Sequence, residues 1–144
     1  MSGSVLLKAL VIFVGGGVGA LLRFGLGWLV DETLFRRPEV LPESLPHFPM
    51  GTLCVNVLGC GAIGLLGAWL FQPGTDGGIS RPTLRLLLIV GVLGGFTTFS
   101  SFAMEALRLA QAGRLGMAGL YVVLSNTLGL GAAWLGWVVG SRLD

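Results

Sequence analysis

Gly91-Val92-Leu93-Gly94-Gly95-Phe96-Thr97-Thr98-Phe99-Ser100-Ser101-Phe102 stands in the middle of an apolar run from Leu84 to Ala110. A run of that length spans a bilayer as a single helix. Its centre is wrong for a plain span. Gly94-Gly95 weakens a helix, and Thr97-Thr98 adds two side chains that are stiff at χ1 and whose hydroxyls compete for backbone partners. Within hydrocarbon, loosened backbone is tolerated only where protein buries it or where it lines a watery cavity. The segment is therefore expected to break at its centre, next to something polar. The other reading is a Gly-rich packing helix with ordinary Ser and Thr on its interface.

The rest of the chain agrees with a membrane setting. Its 144 residues are only 11% charged, and the mean hydropathy of +0.86 excludes an ordinary soluble domain. The 25 glycines fall mostly inside apolar runs, where they permit close helix approach. A formal net charge of +2 with no basic cluster gives no footprint for nucleic acid. The weakly charged Met1–Lys8, running into a long span, does not read as a cleaved signal peptide. Cys54 and Cys60 point to different faces of one segment, so a disulfide between them is not expected. His47 is the only His and lies in a polar loop. With no cluster offering a nucleophile and its base, an enzyme is not expected.

Four apolar segments stand out, at about Leu6–Val30, Met50–Phe71, Leu84–Ala110 and Leu115–Gly140. Each can cross the roughly 30 Å of hydrocarbon in a bilayer. They make one transmembrane domain, residues 1–144, of all-α class. A Pro-rich connection, Asp31–Pro49, joins the first two; Gln72–Thr83 is a Gly/Pro turn region, and Gln111-Ala112-Gly113-Arg114 is a tight turn. Four crossings put both termini on one side. The cations on that side are Lys8, Arg81, Arg85 and Arg142, and those opposite are Arg36, Arg37, Arg108 and Arg114. The positive-inside rule needs an asymmetry, and here there is none. The tally predicts insertion both ways up, and hence an antiparallel dimer with a two-fold axis in the membrane plane. The alternative is that local context and loop length, not this balance, set the orientation.

Polar residues inside the spans are the functional candidates. Gly15, Gly19, Arg23 and Gly27 share one stripe of the first span. Arg23 there faces protein or water, holding an anion or anchoring loosened backbone, or else it snorkels to the membrane edge. Asn56 in the second span suits the wall of a path for a strongly hydrated ion; it equally suits a structural interhelical bond. Phe99, Phe102 and Glu105 follow at steps of three beside Ser100 and Ser101. Phe pairs are usually packing or lipid-facing, but a ring edge carries positive potential and holds a small anion weakly, as conduction requires. A carboxylate would repel that anion, which places Glu105 at a mouth or in a regulatory position. Tyr121, Ser125, Gly129 and Ala133 share a stripe of the fourth span, and Asn126 lies on an overlapping one. Trp28, Trp69, Trp134 and Trp137 read as interfacial belt residues.

Four motifs, one per span, then resemble the CrcB/Fluc family of fluoride channels. They are Gly16-Gly17-Val18-Gly19-Ala20-Leu21-Leu22-Arg23, Gly51-Thr52-Leu53-Cys54-Val55-Asn56-Val57-Leu58-Gly59, Gly94 to Phe102, and the Tyr121/Ser125 pair. The resemblance implies a dual-topology antiparallel homodimer with two pores that exports fluoride passively and so relieves its toxicity in the cytoplasm. It implies an ion pathway at Asn56, Phe99 and Phe102, with Ser100, Ser101 and Glu105 after the break, Tyr121 and Ser125 on the fourth helix, and Arg23 near a vestibule. It also implies a structural Na⁺ at the dimer centre, held by backbone carbonyls at Gly94 and Thr97; carbonyl oxygen suits such a hard cation. Localisation to the plasma (inner) membrane follows. Ala103 departs from relatives that carry a hydroxyl there, and the 31–49 loop is long for the family. The rivals are a small dual-topology multidrug or cation exporter, disfavoured because the first span holds Arg23 and no acid before Asp31, and a non-conducting structural subunit.

Overall fold

Uninterrupted apolar runs without internal Pro satisfy all their backbone groups within themselves only as helices, and every regular element among the described residues is helical. The structure, a computed structural model, describes residues 3–34, 46–71 and 81–143. Arg36, Arg37 and nearly all of the Gly/Pro turn before the third segment lie outside the described residues, as does most of the long Pro-rich loop. Helix α1 (Gly3–Leu29) ends in a wide π-helical turn, π1 (Val30–Leu34), and is followed by α2 (Met50–Leu70). The third segment is built in pieces: α3 (Arg81–Arg85), π2 (Leu86–Leu93), α4 (Gly94–Phe96) and α5 (Phe99–Gln111). Helix α6 (Leu115–Gly140) completes the chain. Four helical stretches, Ser4–Thr33, Met50–Leu70, Pro82–Gln111 and Leu115–Gly140, are long and apolar enough to cross a membrane.

Between α4 and α5 the backbone leaves the helical region at two residues. Thr97 has φ −82° and ψ 157°, and Thr98 has φ −150° and ψ 115°. Both are extended conformations that β-branched residues favour. The turn between α5 and α6 is closed by Gly113 at φ 75°. Its N–H donates to the Ala110 carbonyl and the Arg114 N–H to the Leu109 carbonyl, a Schellman cap that needs a residue without a Cβ.

Small residues set the packing. Helix α2 lies along α6 over its most extensive contact, and α1 lies along π2 and α4. A Cβ at Gly64 would run into the Ala133 carbonyl, and one at Gly136 into the Gly61 carbonyl, so α2 and α6 touch backbone to backbone. On α1, a Cβ at Gly15 would come within 2.7 Å of the Leu87 carbonyl, and one at Gly19 would strike Val92 and Phe96. The first half of the small-residue stripe on α1 is thus a bed for the third segment. Its second half, at Gly27, opens into a cavity. Most side chains facing outward are large and apolar, including Phe13, Leu21, Phe24, Leu130 and Trp134.

A small core near the start of α2 gathers Leu53, Leu109, Ala118 and Tyr121, with Phe48 and Phe102 against it. Arg114 donates to the Pro46 carbonyl at 2.9 Å and ties the approach to α2 down onto this end of the bundle.

Candidate functional site

The interruption at Thr97-Thr98 sets free backbone groups that an α-helix would have paired. In an unbroken helix the Thr98 N–H would reach the Gly94 carbonyl four residues back. Here it donates to Asn56 Oδ1 at 2.8 Å, and Asn56 Nδ2 donates to the Thr98 carbonyl at 3.0 Å. A side-chain amide carries the same donor and acceptor as a peptide unit, so Asn56 takes the place of a neighbouring strand. One N–H of Asn56 remains after this exchange. The Thr98 hydroxyl caps α5: it accepts the Ser101 N–H at 3.2 Å, donates to Ser101 Oγ at 3.1 Å and lies 3.2 Å from Ser100 Oγ. Among the described residues, Thr98 is the one buried polar side chain in the core.

Two cavities meet at this residue. The first is a groove of about 320 Å³ whose walls include Asn56, Gly94, Thr97, Thr98, Phe99, Phe102, Ser125 and Asn126. No charged side chain is among its described walls. Phe99 and Phe102 stand with ring centroids 5.4 Å apart at 48°. Phe99 is 79% exposed in the single chain, so its ring reaches beyond the protomer. The N-terminus of the 13-residue α5 opens onto this groove and adds positive potential from its first-turn N–H groups. The second cavity, about 340 Å³, is bordered by Arg23, Asp31, Thr52, Thr98 and Ser101. Arg23 Nη1 donates to the Thr97 carbonyl at 3.5 Å, a long contact. Asp31 Oδ1 accepts the Gly51 N–H at 2.9 Å, and so caps α2 from another helix where Pro49 offers no side-chain cap.

The expected pathway residues therefore separate into three groups. Asn56, Phe99, Phe102 and Ser125 share the groove, together with Gly94 and Thr97. Arg23 and Ser101 face the second cavity, and Ser100 stays beside the Thr98 hydroxyl. Glu105 and Tyr121 line neither. The Tyr121 side chain is fully buried, and its hydroxyl donates to Glu105 Oε2 at 2.7 Å, while Thr52 Oγ1 donates to Oε1 at 2.7 Å. This carboxylate is held between two hydroxyls directly behind the groove, its partner Tyr121 stacked on Phe102 with centroids 5.3 Å apart. Thr52, Thr98, Asp31 and Asn126 were not among the expected site residues. Thr52 carried a signal, since it lies one turn before Asn56 on the same face.

Ligation by side chains has no basis here: among the described residues no three His, Cys, Asp or Glu come together as metal ligands. Backbone carbonyls are a different matter. That of Gly94 has lost its helical donor to Asn56, which fits a hard cation. That of Thr97 accepts from Arg23, so a cation there would share it with a guanidinium.

Fold and site together define a four-segment helical membrane protein with an uncharged, donor-lined groove at an interruption in its third segment. A model of the CrcB-like protein family (Camphor Resistance, CrcB) matches residues 10–137, and the chain belongs to this family. Among its relatives, a protein of Novosphingobium aromaticivorans is 44% identical over 87% of this chain and 89% of its own length. One from Acidobacterium capsulatum is 41% identical over 95% and 98%, and one from Thermus thermophilus is 44% identical over 94% and 97%. All three bear the name fluoride-specific ion channel FluC, which describes a channel and not an enzyme. The chain is a multi-pass protein of the plasma membrane, the inner one where a cell has two.

Proposed function

We propose that this chain is a fluoride channel that lets the ion leave the cytoplasm passively and so limits its toxicity. The observation that carries the proposal is the groove, where an unspent N–H of Asn56, the Ser125 hydroxyl and the rings of Phe99 and Phe102 share one wall system with no charge. Fluoride is small and strongly hydrated, so it gives up water only to replacement donors. It leaves again only if none of them is an ammonium or guanidinium, because conduction needs binding that is weak and repeated. Neutral N–H and O–H groups and ring edges meet both demands. The names of the relatives point to the same ion.

In this reading two copies pair antiparallel, each inserted in the opposite sense, and each pair carries two pores. Support comes from the equal cation tally and from the exposed Phe99, whose ring a second copy would cover. The third segment then acts as a broken helix in mid-membrane. Gly94 and Thr97 would offer carbonyls to a structural Na⁺ at the dimer centre, which would neutralise the freed oxygens of the interruption. Arg23 would draw anions into the second cavity, and Glu105 would hold Tyr121 and α5 in place without touching the ion.

The test is fluoride efflux from liposomes containing only this protein, read with a fluoride electrode, with chloride as the comparison. Rapid fluoride loss with little chloride loss is expected. No efflux, the mark of a structural subunit, or equal chloride flux would end the proposal, as would proton-coupled transport of an organic cation. Within a conducting protein, Phe99→Ile or Phe102→Ile should slow fluoride while leaving the dimer intact. Unchanged flux in both would remove the ring-edge argument.

A further inference from the structure

Asn126 borders the same groove and belongs to no role assigned so far. Helices α2 and α6 run in the same direction with a fixed register: Gly129 lies against Cys60 and Ala133 against Gly64. Carried back one turn, that register sets Ser125 and Asn126 at the depth of Asn56. Two walls of the groove thus present polar side chains at one level, Asn56 from α2 and the Ser125/Asn126 pair from α6, and the Phe pair of α5 borders the same groove.

The hydrogen bonds at this level are incomplete. Ser125 Oγ is buried beside the Tyr121 hydroxyl, which donates to Glu105 and keeps a lone pair for the Ser125 O–H. Asn126 donates one N–H to the Val122 carbonyl at 2.7 Å, which fixes its amide and leaves the second N–H for another acceptor. Farther along the stripe of Ser125, Gly129 and Ala133 bring no polar group, so these two residues end the donors that α6 can offer the groove. An uncapped amide facing hydrocarbon would be unfavourable; facing an ion path, it is not.

We infer that Asn126 is a fluoride ligand, completing with Ser125 and the free N–H of Asn56 a ring of neutral donors at one depth of the groove. The inference rests on the channel reading above and adds a residue to it. A desolvated anion there receives donors from both walls at once. Because Asn126 is already tied to its own helix, it loses little ordering entropy when the ion arrives.

The experiment compares the wild-type protein with Asn126→Leu and Asn126→Ser in liposomes, by fluoride electrode, with the oligomeric state of each measured in detergent. Losing one hydrogen bond to a charged group should slow efflux by about tenfold or more in Asn126→Leu. Asn126→Ser, which keeps a donor, should recover part of it, and both should assemble as the wild type does. If the wild type conducts and Asn126→Leu conducts equally, the inference is overturned and the channel reading stands. Loss of assembly in both variants also overturns it, since Asn126 would then be a contact between copies. A wild-type protein that moves no fluoride overturns the channel reading, and this inference with it.

Discussion

Replacing Asn56 by Leu tests whether the interruption in the third segment is held by a side chain 42 residues away in sequence. The swap keeps volume and removes both amide functions. Two hydrogen bonds go, the 2.8 Å bond from the Thr98 N–H and the 3.0 Å bond to the Thr98 carbonyl. In membrane proteins, individual side-chain bonds measure about 0.6 kcal/mol on average, which sets a floor of about 1 kcal/mol for the pair. A buried backbone group left without a partner costs about 1–3 kcal/mol, and here both groups of one peptide residue are stranded. Thr98 is buried, so water cannot fully replace Asn56, and the expected loss is about 2–4 kcal/mol.

In a two-state thermal melt in detergent, that loss lowers the midpoint by about 5–10 °C. Fluoride efflux should fall as well, because the remaining N–H of Asn56 leaves the groove wall. Asn56→Asp separates the two effects. It keeps an acceptor for the Thr98 N–H but sets a carboxylate against the Thr98 carbonyl and in the path of an anion. Its flux should be lost with a smaller fall in midpoint. If Asn56→Leu melts with the wild type, then Asn56 does not hold the interruption and the reasoning fails at its first step.

Two further substitutions probe the surroundings. Glu105→Ala removes the acceptor shared by Thr52 and Tyr121 and should destabilise by about 3–5 kcal/mol, against about 1–2 kcal/mol for Thr52→Val or Tyr121→Phe alone; denaturant titration ranks them, and equal effects would show that the carboxylate is not the hub. Gly64→Leu drives a side chain into the Ala133 carbonyl, so it should abolish the folded protein on a sizing column, whereas Gly119→Ala, with open space around it, should elute as the wild type does.

The four apolar runs were legible because length and hydropathy act locally, and a lipid environment leaves few alternatives to helix. Of the weak stretch Gly94–Thr98, only Thr97 and Thr98 are extended, at β-branched residues that state their helix cost in sequence, while Gly94 and Gly95 stay helical. What the sequence could not show was where freed groups would find partners. Asn56 had two readings, pore wall or structural bond; the structure shows the bond, one N–H and the oxygen serving Thr98, in a residue that also borders the groove. That the Tyr121 hydroxyl would donate to Glu105 was hidden as well, since the two lie on different helices, 16 residues apart. The wide turns of π2 were invisible, because they arise where Gly15 and Gly19 let α1 press against its backbone. The cap supplied by Asp31 was equally hidden, for the nearest sequence neighbour of α2 is Pro49, which has nothing to donate or accept with its side chain.

The pairing of Asn56 with Thr98 links the two ions in the proposal. By accepting the Thr98 N–H, Asn56 withholds it from the Gly94 carbonyl, and so creates the oxygen that a central Na⁺ would use. The same bond fixes the start of α5, which sets the Phe99 and Phe102 rings and the first-turn N–H groups that an anion would meet. Without the amide, Thr98 would recover part of that loss by turning its N–H back to Gly94, which would let the helix close over the interruption. The carbonyl would then be satisfied within the chain, the cation would lose a ligand, and Phe99 would rotate with the healed helix. In the proposed reading, cation and anion sites would therefore not be independent features of this segment. One amide side chain on a neighbouring helix would then keep both open, so that a polar residue at position 56 would answer to two constraints at once and an apolar one of equal size to neither.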